Sequence, residues 1–203
     1  VAMLARLDLD DIALTTNGQR LAGLAGPLRD AGLDRVNVSL DTLDTERFSR
    51  LTQGGNLSHT LRGIDAAQAA GLQPIKLNSV IIRGTNDEEV VDLARFALAR
   101  NLEIRFLELM SIGTAAEAHP AWFVPFDVIL ETLHAAFHLE AQPAGPADRT
   151  RYFRVEDSSG RSGRIGFISP ETRPFCAGCR RLRLTADGRL VGCLMNDDGE
   201  DLK

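Results

Sequence analysis

An α/β fold, a βα series around a parallel sheet followed by a β-rich carboxyl-terminal module, is what the sequence predicts. Three observations carry it. Residues 11 to 110 alternate short apolar runs with amphipathic ones, and the apolar runs are rich in Val, Ile and Leu, as strands of parallel sheets are. Beyond residue 120 the pattern gives way to short runs separated by turn signals.

The first strand is expected at Ile12 to Thr15 and runs into Thr15-Thr16-Asn17-Gly18, which has turn chemistry. A helix near residues 18 to 30 precedes a second strand, Arg35 to Leu40, ending in Ser39-Leu40-Asp41. Helices near 44 to 52 and 57 to 70 lead to a third strand, Pro74 to Ile82. Thr85-Asn86-Asp87-Glu88 has capping-box spacing and opens a helix near 87 to 100 with Val90, Leu93, Ala94 and Ala97 on one face. The fourth strand, Ile104 to Met110, ends in Glu108-Leu109-Met110. Residues 111 to 121, with Gly113 and Pro120, form a connector, and the next helix sets Phe126, Ile129, Leu130, Leu133 and Phe137 on one stripe. An Ala/Pro/Gly stretch from Ala141 to Ala147 precedes short strands that turn at Asp157 to Gly160 and at Asp187-Gly188. The expected division is therefore 1–120 and 121–203.

Composition excludes several classes. With 203 residues, 44% apolar and 25% charged, the chain is ordinary for a globular protein of one large or two small domains. It has no signal-peptide pattern and no apolar run of about 18 residues, so neither secretion nor a membrane helix is expected. A net charge of -5 and a single Trp and Tyr lend no support to nonspecific nucleic-acid binding. The few thiols fit a reducing compartment, by default the cytoplasm. The chain opens Val-Ala-Met-Leu and closes just after the acidic run Asn196 to Asp201, as expected of a fragment.

In parallel-sheet folds the working groups stand at the carboxyl ends of strands. Two charges lie inside strands instead: Lys76 between Ile75 and Leu77, and Arg105 between Ile104 and Phe106. An unpaired buried charge costs several kcal/mol, so each needs a partner, either a bound anion or an internal carboxylate. Lys76 and Asn78 share strand parity and can face one cavity.

All three cysteines fall in the last 28 residues: Cys176, Cys179 and Cys193. An odd count is no disulfide framework, and a closed zinc site wants four ligands. The histidines are His59, His119, His134 and His138, so none is local. A four-iron cluster on three thiolates would keep one iron open to a substrate atom; three unrelated thiols are the alternative. From Thr172 to Ala186 the chain holds Arg173, Arg180, Arg181 and Arg183 and no Asp or Glu. Arg181-Leu182-Arg183-Leu184 alternates with strand period, placing both guanidinium groups on one face, either as an anion site or as a solvated basic strand.

The motifs LTTNG (Leu14 to Gly18), RVNVSLDTL (Arg35 to Leu43), KLNSVIIRGTNDEE (from Lys76), IRFLELM (Ile104 to Met110) and GFISPETRPFCAGCRRLRLTADGRLVGCL (from Gly166) resemble the GTP 3',8-cyclase family of molybdenum cofactor biosynthesis, in order and through nearly the whole chain. The resemblance implies a partial radical SAM TIM-like (αβ)6 barrel, with about four βα units present, followed by a β-rich iron-sulfur module. The implied activity is that of a lyase. A first 4Fe-4S cluster reduces S-adenosylmethionine, the 5'-deoxyadenosyl radical takes the 3' hydrogen of GTP, and C3' attacks guanine C8 to give 3',8-cyclo-7,8-dihydro-GTP. A downstream cyclic pyranopterin monophosphate synthase and an electron donor are implied partners, with a homodimer left open. By the same resemblance Cys176, Cys179 and Cys193 match the ligands of a second 4Fe-4S cluster whose free iron holds guanine. Thr15, Lys76, Arg105, Arg181, Leu182 and Arg183 match GTP contacts, and Ser39, Asn78 and Met110 match S-adenosylmethionine contacts.

The departures matter. No cysteine precedes Cys176, so the family's C-x3-C-x2-C motif is absent, as are its glycine-rich strand end and Gly-Gly tail. Arg180 stands where many members have Asn or another polar residue. The polypeptide as written is therefore not expected to generate the radical, and is expected at most to bind the second cluster and hold part of the GTP site. Two other readings stand beside this one: another radical SAM enzyme with an auxiliary cluster, and a noncatalytic three-Cys metal-binding module.

Overall fold

The computed structural model describes residues 1–145, 148–176, 179, 181–193 and 199–202. Arg180, Ala147 at the end of the Ala/Pro/Gly stretch, and Asn196 to Asp198 of the acidic run lie outside the described residues.

Four parallel strands, β1 (Ala13–Thr16), β2 (Arg35–Ser39), β3 (Lys76–Ile81) and β4 (Glu103–Glu108), lie side by side in chain order. Helices α1 (Leu21–Asp30), α2 (Thr45–Leu51), α3 (Leu57–Ala69) and α4 (Val90–Ala99) connect them. Strand parity separates two faces. Val36, Val38, Leu77, Ile81, Ile104 and Phe106 are buried with helix residues such as Leu21, Ile64 and Leu93 in one core. Arg35, Asn37, Ser39, Lys76, Asn78 and Arg105 take the other parity and are half-buried. The strands are thus apolar on one face only, unlike a sheet covered on both, and the second face is polar and half-buried.

Two helix starts differ from the sequence expectation. Thr16 Oγ1 accepts from Gly18 N–H and Asn17 Oδ1 from Gln19 N–H, so the residues after β1 form a turn and α1 begins at Leu21. Gly18 has φ +75° and lies where an added Cβ would come within 3.2 Å of Val38, which makes glycine the fitting residue. The capping box at Thr85 to Glu88 does not form. Residues Asp87–Glu89 are a 3-10 turn, and α4 begins at Val90. Buried Asn86 instead accepts from Ile82 N–H (2.7 Å) and donates to the carbonyls of Asp41 (2.7 Å) and Val80 (2.8 Å). Satisfying three backbone groups at the strand ends outweighs capping one helix. The apolar face Val90, Leu93, Ala94 and Ala97 is buried as expected.

The connector holds a short helix, α5 (His119–Trp122), and α6 (Phe126–His134) follows with Phe126, Ile129 and Leu133 inward. Strands β5 (His138–Ala141), β6 (Arg151–Glu156) and β7 (Ser162–Ile168) do not start a separate sheet. β7 pairs parallel with β4, then β6 and β5 add antiparallel, giving the order β1-β2-β3-β4-β7-β6-β5. Phe167 of β7 meets Phe126 edge-on at 4.8 Å and Phe153 at 5.5 Å, and packs near Phe106 at 6.0 Å. A second, three-stranded antiparallel sheet is formed by β8 (Arg183–Leu184), β9 (Arg189–Val191) and β10 (Gly199–Asp201). The mixed fold with its parallel-rich sheet and β-rich end agrees with the expected class.

Candidate functional site

The polar face of the sheet gathers residues from five strands. In register across it, Thr15 lies beside Asn37 and Asn37 beside Lys76, while Ser39, Asn78, Arg105 and Gly166 form the next row. Asn37 Nδ2 donates to Thr15 Oγ1 at 3.1 Å. Arg105 Nε donates to Asn78 Oδ1 at 2.9 Å and its Nη2 to Asn37 Oδ1 at 2.8 Å. Burial lowers the pKa of Arg105, and the nearby Tyr152 and Glu103 counter it. The hydrogen-bond partners of Arg105 are thus a pair of amide oxygens, which hold its orientation and carry no formal charge.

Lys76 has an internal carboxylate partner. Its Nζ stands 3.2 Å from Glu103 Oε1 and 3.4 Å from the hydroxyl of Tyr152, which itself donates to Glu103 at 2.8 Å. Of the two alternatives for a charge in a strand, the ion pair describes Lys76, and Arg105 has no carboxylate at ion-pair distance among the described residues. The lack of a side chain at Gly166 makes the arrangement fit. An added Cβ there would come within 2.9 Å of the Tyr152 ring and 3.0 Å of Arg105 Cγ.

The polar groups at the strand ends divide. Glu108 is buried and accepts from the backbone N–H groups of Phe126 (2.9 Å), Glu171 (3.0 Å) and Thr172 (3.0 Å) and from the Thr172 hydroxyl (2.5 Å). It clamps β4 to α6 and to the loop before the cysteines. Asp41 accepts from Val80 N–H at 2.8 Å, and burial pushes its carboxyl above the usual range against that hydrogen bond. Met110 is half-buried beyond β4, and its carbonyl accepts from Ile112 N–H at 2.9 Å.

In the tail, Cys176, Cys179 and Cys193 are exposed thiols, and Cys179 N–H donates to the Cys176 carbonyl at 3.1 Å. The Arg181 backbone N–H, with the charges of Arg149 and Arg181, holds the Cys179 thiol below its ordinary pKa. Cysteine sulfurs are the usual ligands of iron-sulfur clusters, so the donor types fit a cluster. Among the described residues no three His, Cys, Asp or Glu side chains are grouped to hold a metal ion. Arg181 and Arg183 are half-buried while Leu182 and Leu184 are 70% and 67% exposed, so the expected alternation holds with the cations inward. Burial lowers the pKa of Arg181, and the positive charges of Arg149, Arg183 and Arg105 lower it further. The tail and the polar face therefore share one electropositive region. Arg149 also lines a cavity of about 610 Å³ with Arg151, Arg173 and Phe175.

The sequence reading missed Asn37, Glu103, Tyr152 and Arg149. Parity could have found two of them, since Asn37 alternates with Ser39 and Glu103 with Arg105. Tyr152 and Arg149 had no local signal.

Comparison with known proteins agrees with this layout. Residues 1–97 match the model described as Radical SAM superfamily, and residues 102–203 match the one described as Molybdenum Cofactor Synthesis C. The chain is 46% identical to a GTP 3',8-cyclase of Pseudomonas putida (strain W619) over 96% of its own length and 58% of the relative's. It is 48% identical to a GTP 3',8-cyclase of Moorella thermoacetica (strain ATCC 39073 / JCM 9320) over 96% of its length and 59% of that relative's. The chain thus spans somewhat more than half the length of these relatives. With its carboxyl-terminal half matched throughout and a radical SAM segment before it, the chain belongs to the Molybdenum Cofactor Synthesis C family.

Proposed function

We propose that this chain carries the GTP-binding part of a GTP 3',8-cyclase, the lyase that converts GTP with S-adenosylmethionine and a reductant to 3',8-cyclo-7,8-dihydro-GTP in molybdenum cofactor biosynthesis. The observation that carries the reading is the shared electropositive region: Arg105 on the sheet lies within electrostatic reach of Arg181 beside Cys179, and Arg149 and Arg183 stand with them. Among the described residues none of the four has a carboxylate at ion-pair distance. Such a surplus suits a triphosphate.

In this reading residues 1–120 are the partial barrel and 121–203 the cluster- and GTP-binding part. Thr15, Lys76 and Arg105 contact the nucleotide from the sheet, with Arg181, Leu182 and Arg183 from the tail. Leu182 contributes its backbone, because its side chain is exposed. Cys176, Cys179 and Cys193 would hold the second 4Fe-4S cluster. Ser39 at the end of β2, Asn78 within β3 and Met110 beyond β4 contact S-adenosylmethionine. When bound, the second cluster would supply an open iron for a guanine atom. The chain's own residues orient the phosphates and compensate their charge. The electron donor, the downstream cyclic pyranopterin monophosphate synthase and a homodimer belong to the same reading, as does a cytoplasmic location, for which the small number of cysteines is the support. No helix among the described residues is long and apolar enough to cross a membrane.

Anaerobic reconstitution with iron and sulfide tests it. About four iron per chain, lost in Cys193→Ser, and a cluster spectrum perturbed by GTP but not by ATP are expected. Zinc in place of iron, or iron content unchanged in Cys193→Ser, would overturn the ligand set. A spectrum indifferent to GTP would favour an auxiliary cluster with another substrate.

A further inference from the structure

Tyr152 stands at the junction of the two halves, on β6, yet its hydroxyl engages side chains of β3 and β4. We propose that Tyr152, directly and through Glu103, is a positioning residue that sets the Lys76 ammonium for a polyphosphate bound on the polar face. The proposal rests on the reading of that face as a nucleotide site.

Hydrogen-bond inventory gives the contact a direction. A tyrosine hydroxyl has one proton, and Tyr152 gives it to Glu103 Oε1 at 2.8 Å. Toward Lys76, 3.4 Å away, it can then only accept. An ammonium has three donors. Glu103 takes one at 3.2 Å and Tyr152 a second, which leaves one for a ligand and fixes where it points.

The ring is braced independently of the hydroxyl. The Arg164 guanidinium lies 3.9 Å from its centroid and its Nη1 is 3.5 Å from Glu103 Oε2. Gly166, in register with both Tyr152 and Arg105, leaves the room that both side chains occupy. A tyrosine serving only as filling would need its ring and not its hydroxyl. Here the hydroxyl is spent on one carboxylate and one cation of a face where Lys76 and Arg105 outnumber Glu103.

Tyr152→Phe keeps the ring and its stacking on Arg164 and removes the hydrogen bonds. Inorganic triphosphate, GTP and ATP are titrated into the chain by calorimetry, for the wild type, Tyr152→Phe, Lys76→Met and the double variant. The expected result is triphosphate affinity about tenfold weaker in Tyr152→Phe, the size of one hydrogen bond to a charged group, and no further loss when the same change is made in Lys76→Met. Unchanged triphosphate affinity in Tyr152→Phe, or the same fold-loss with Lys76 absent, overturns the proposal. Tyr152-dependent triphosphate binding with no preference for GTP over ATP supports the positioning role and overturns the guanine nucleotide reading instead.

Discussion

The polar face of the sheet and the cysteine-bearing tail are both rich in cations, and they treat them differently. On the sheet, Arg35 is paired with Asp11 at 2.5 Å, Lys76 with Glu103, and Arg105 with two amide oxygens. In the tail, Arg181 and Arg183 turn inward with no carboxylate at ion-pair distance among the described residues, and Leu182 and Leu184 face outward. The sheet is held by helices on its other face, so its charges are oriented before any ligand arrives. Among the described residues of the tail the strands are two or three residues long, and Leu182, Leu184 and Leu202 are exposed.

The largest effect expected from that difference is at Glu108. Glu108→Ala leaves three backbone N–H groups and the Thr172 hydroxyl without their acceptor, which should cost on the order of 4 kcal/mol in urea unfolding. A loss under about 1 kcal/mol would mean that water replaces the carboxylate and that the clamp between the two regions is dispensable. Next come the tail arginines. Arg181→Ala and Arg183→Ala should each weaken GTP binding by roughly 1 to 3 kcal/mol with iron content unchanged. Unchanged GTP affinity would return β8 to a solvated basic strand.

A smaller effect concerns pH. Burial raises the Asp41 carboxyl pKa above its ordinary value in the folded state, so its protonated form favours the fold. Stability from this group is present below the unfolded value and is lost as pH rises through the folded one. Asp41→Asn, which keeps an acceptor for Val80 N–H, should flatten that part of the stability profile on the acidic side of neutrality. A profile identical to the wild type would remove Asp41 as its source. The smallest effect is at Leu184, 67% exposed, where Leu184→Ala should change unfolding stability by less than about 0.5 kcal/mol. A loss above about 2 kcal/mol would show that the outward leucine is packed after all.

Much of this was legible in the sequence. The four βα units, the apolar stripe of α4 and the shared face of Arg181 and Arg183 follow from periodicities of 3.6 and 2, which act within one element. The start of α4 was misread because Asn86 had a better use than capping, and that use required the ends of β2 and β3 to be close. The carboxyl-terminal strands were legible as strands but not as part of the first sheet, since a parallel neighbour such as β7 for β4 lies far along the chain.

The sequence by itself determined which residues carry charge or sulfur, their parity on each strand, and the family to which their motifs point. Only the tertiary structure decided partners: Glu103 beside Lys76, amides for Arg105, and the Tyr152 hydroxyl joining Glu103 to Lys76. The physical reason is that parity is a local property of a pleated chain. Register between strands is set by how the helix-side core packs, and no window of sequence contains both sides of that contact.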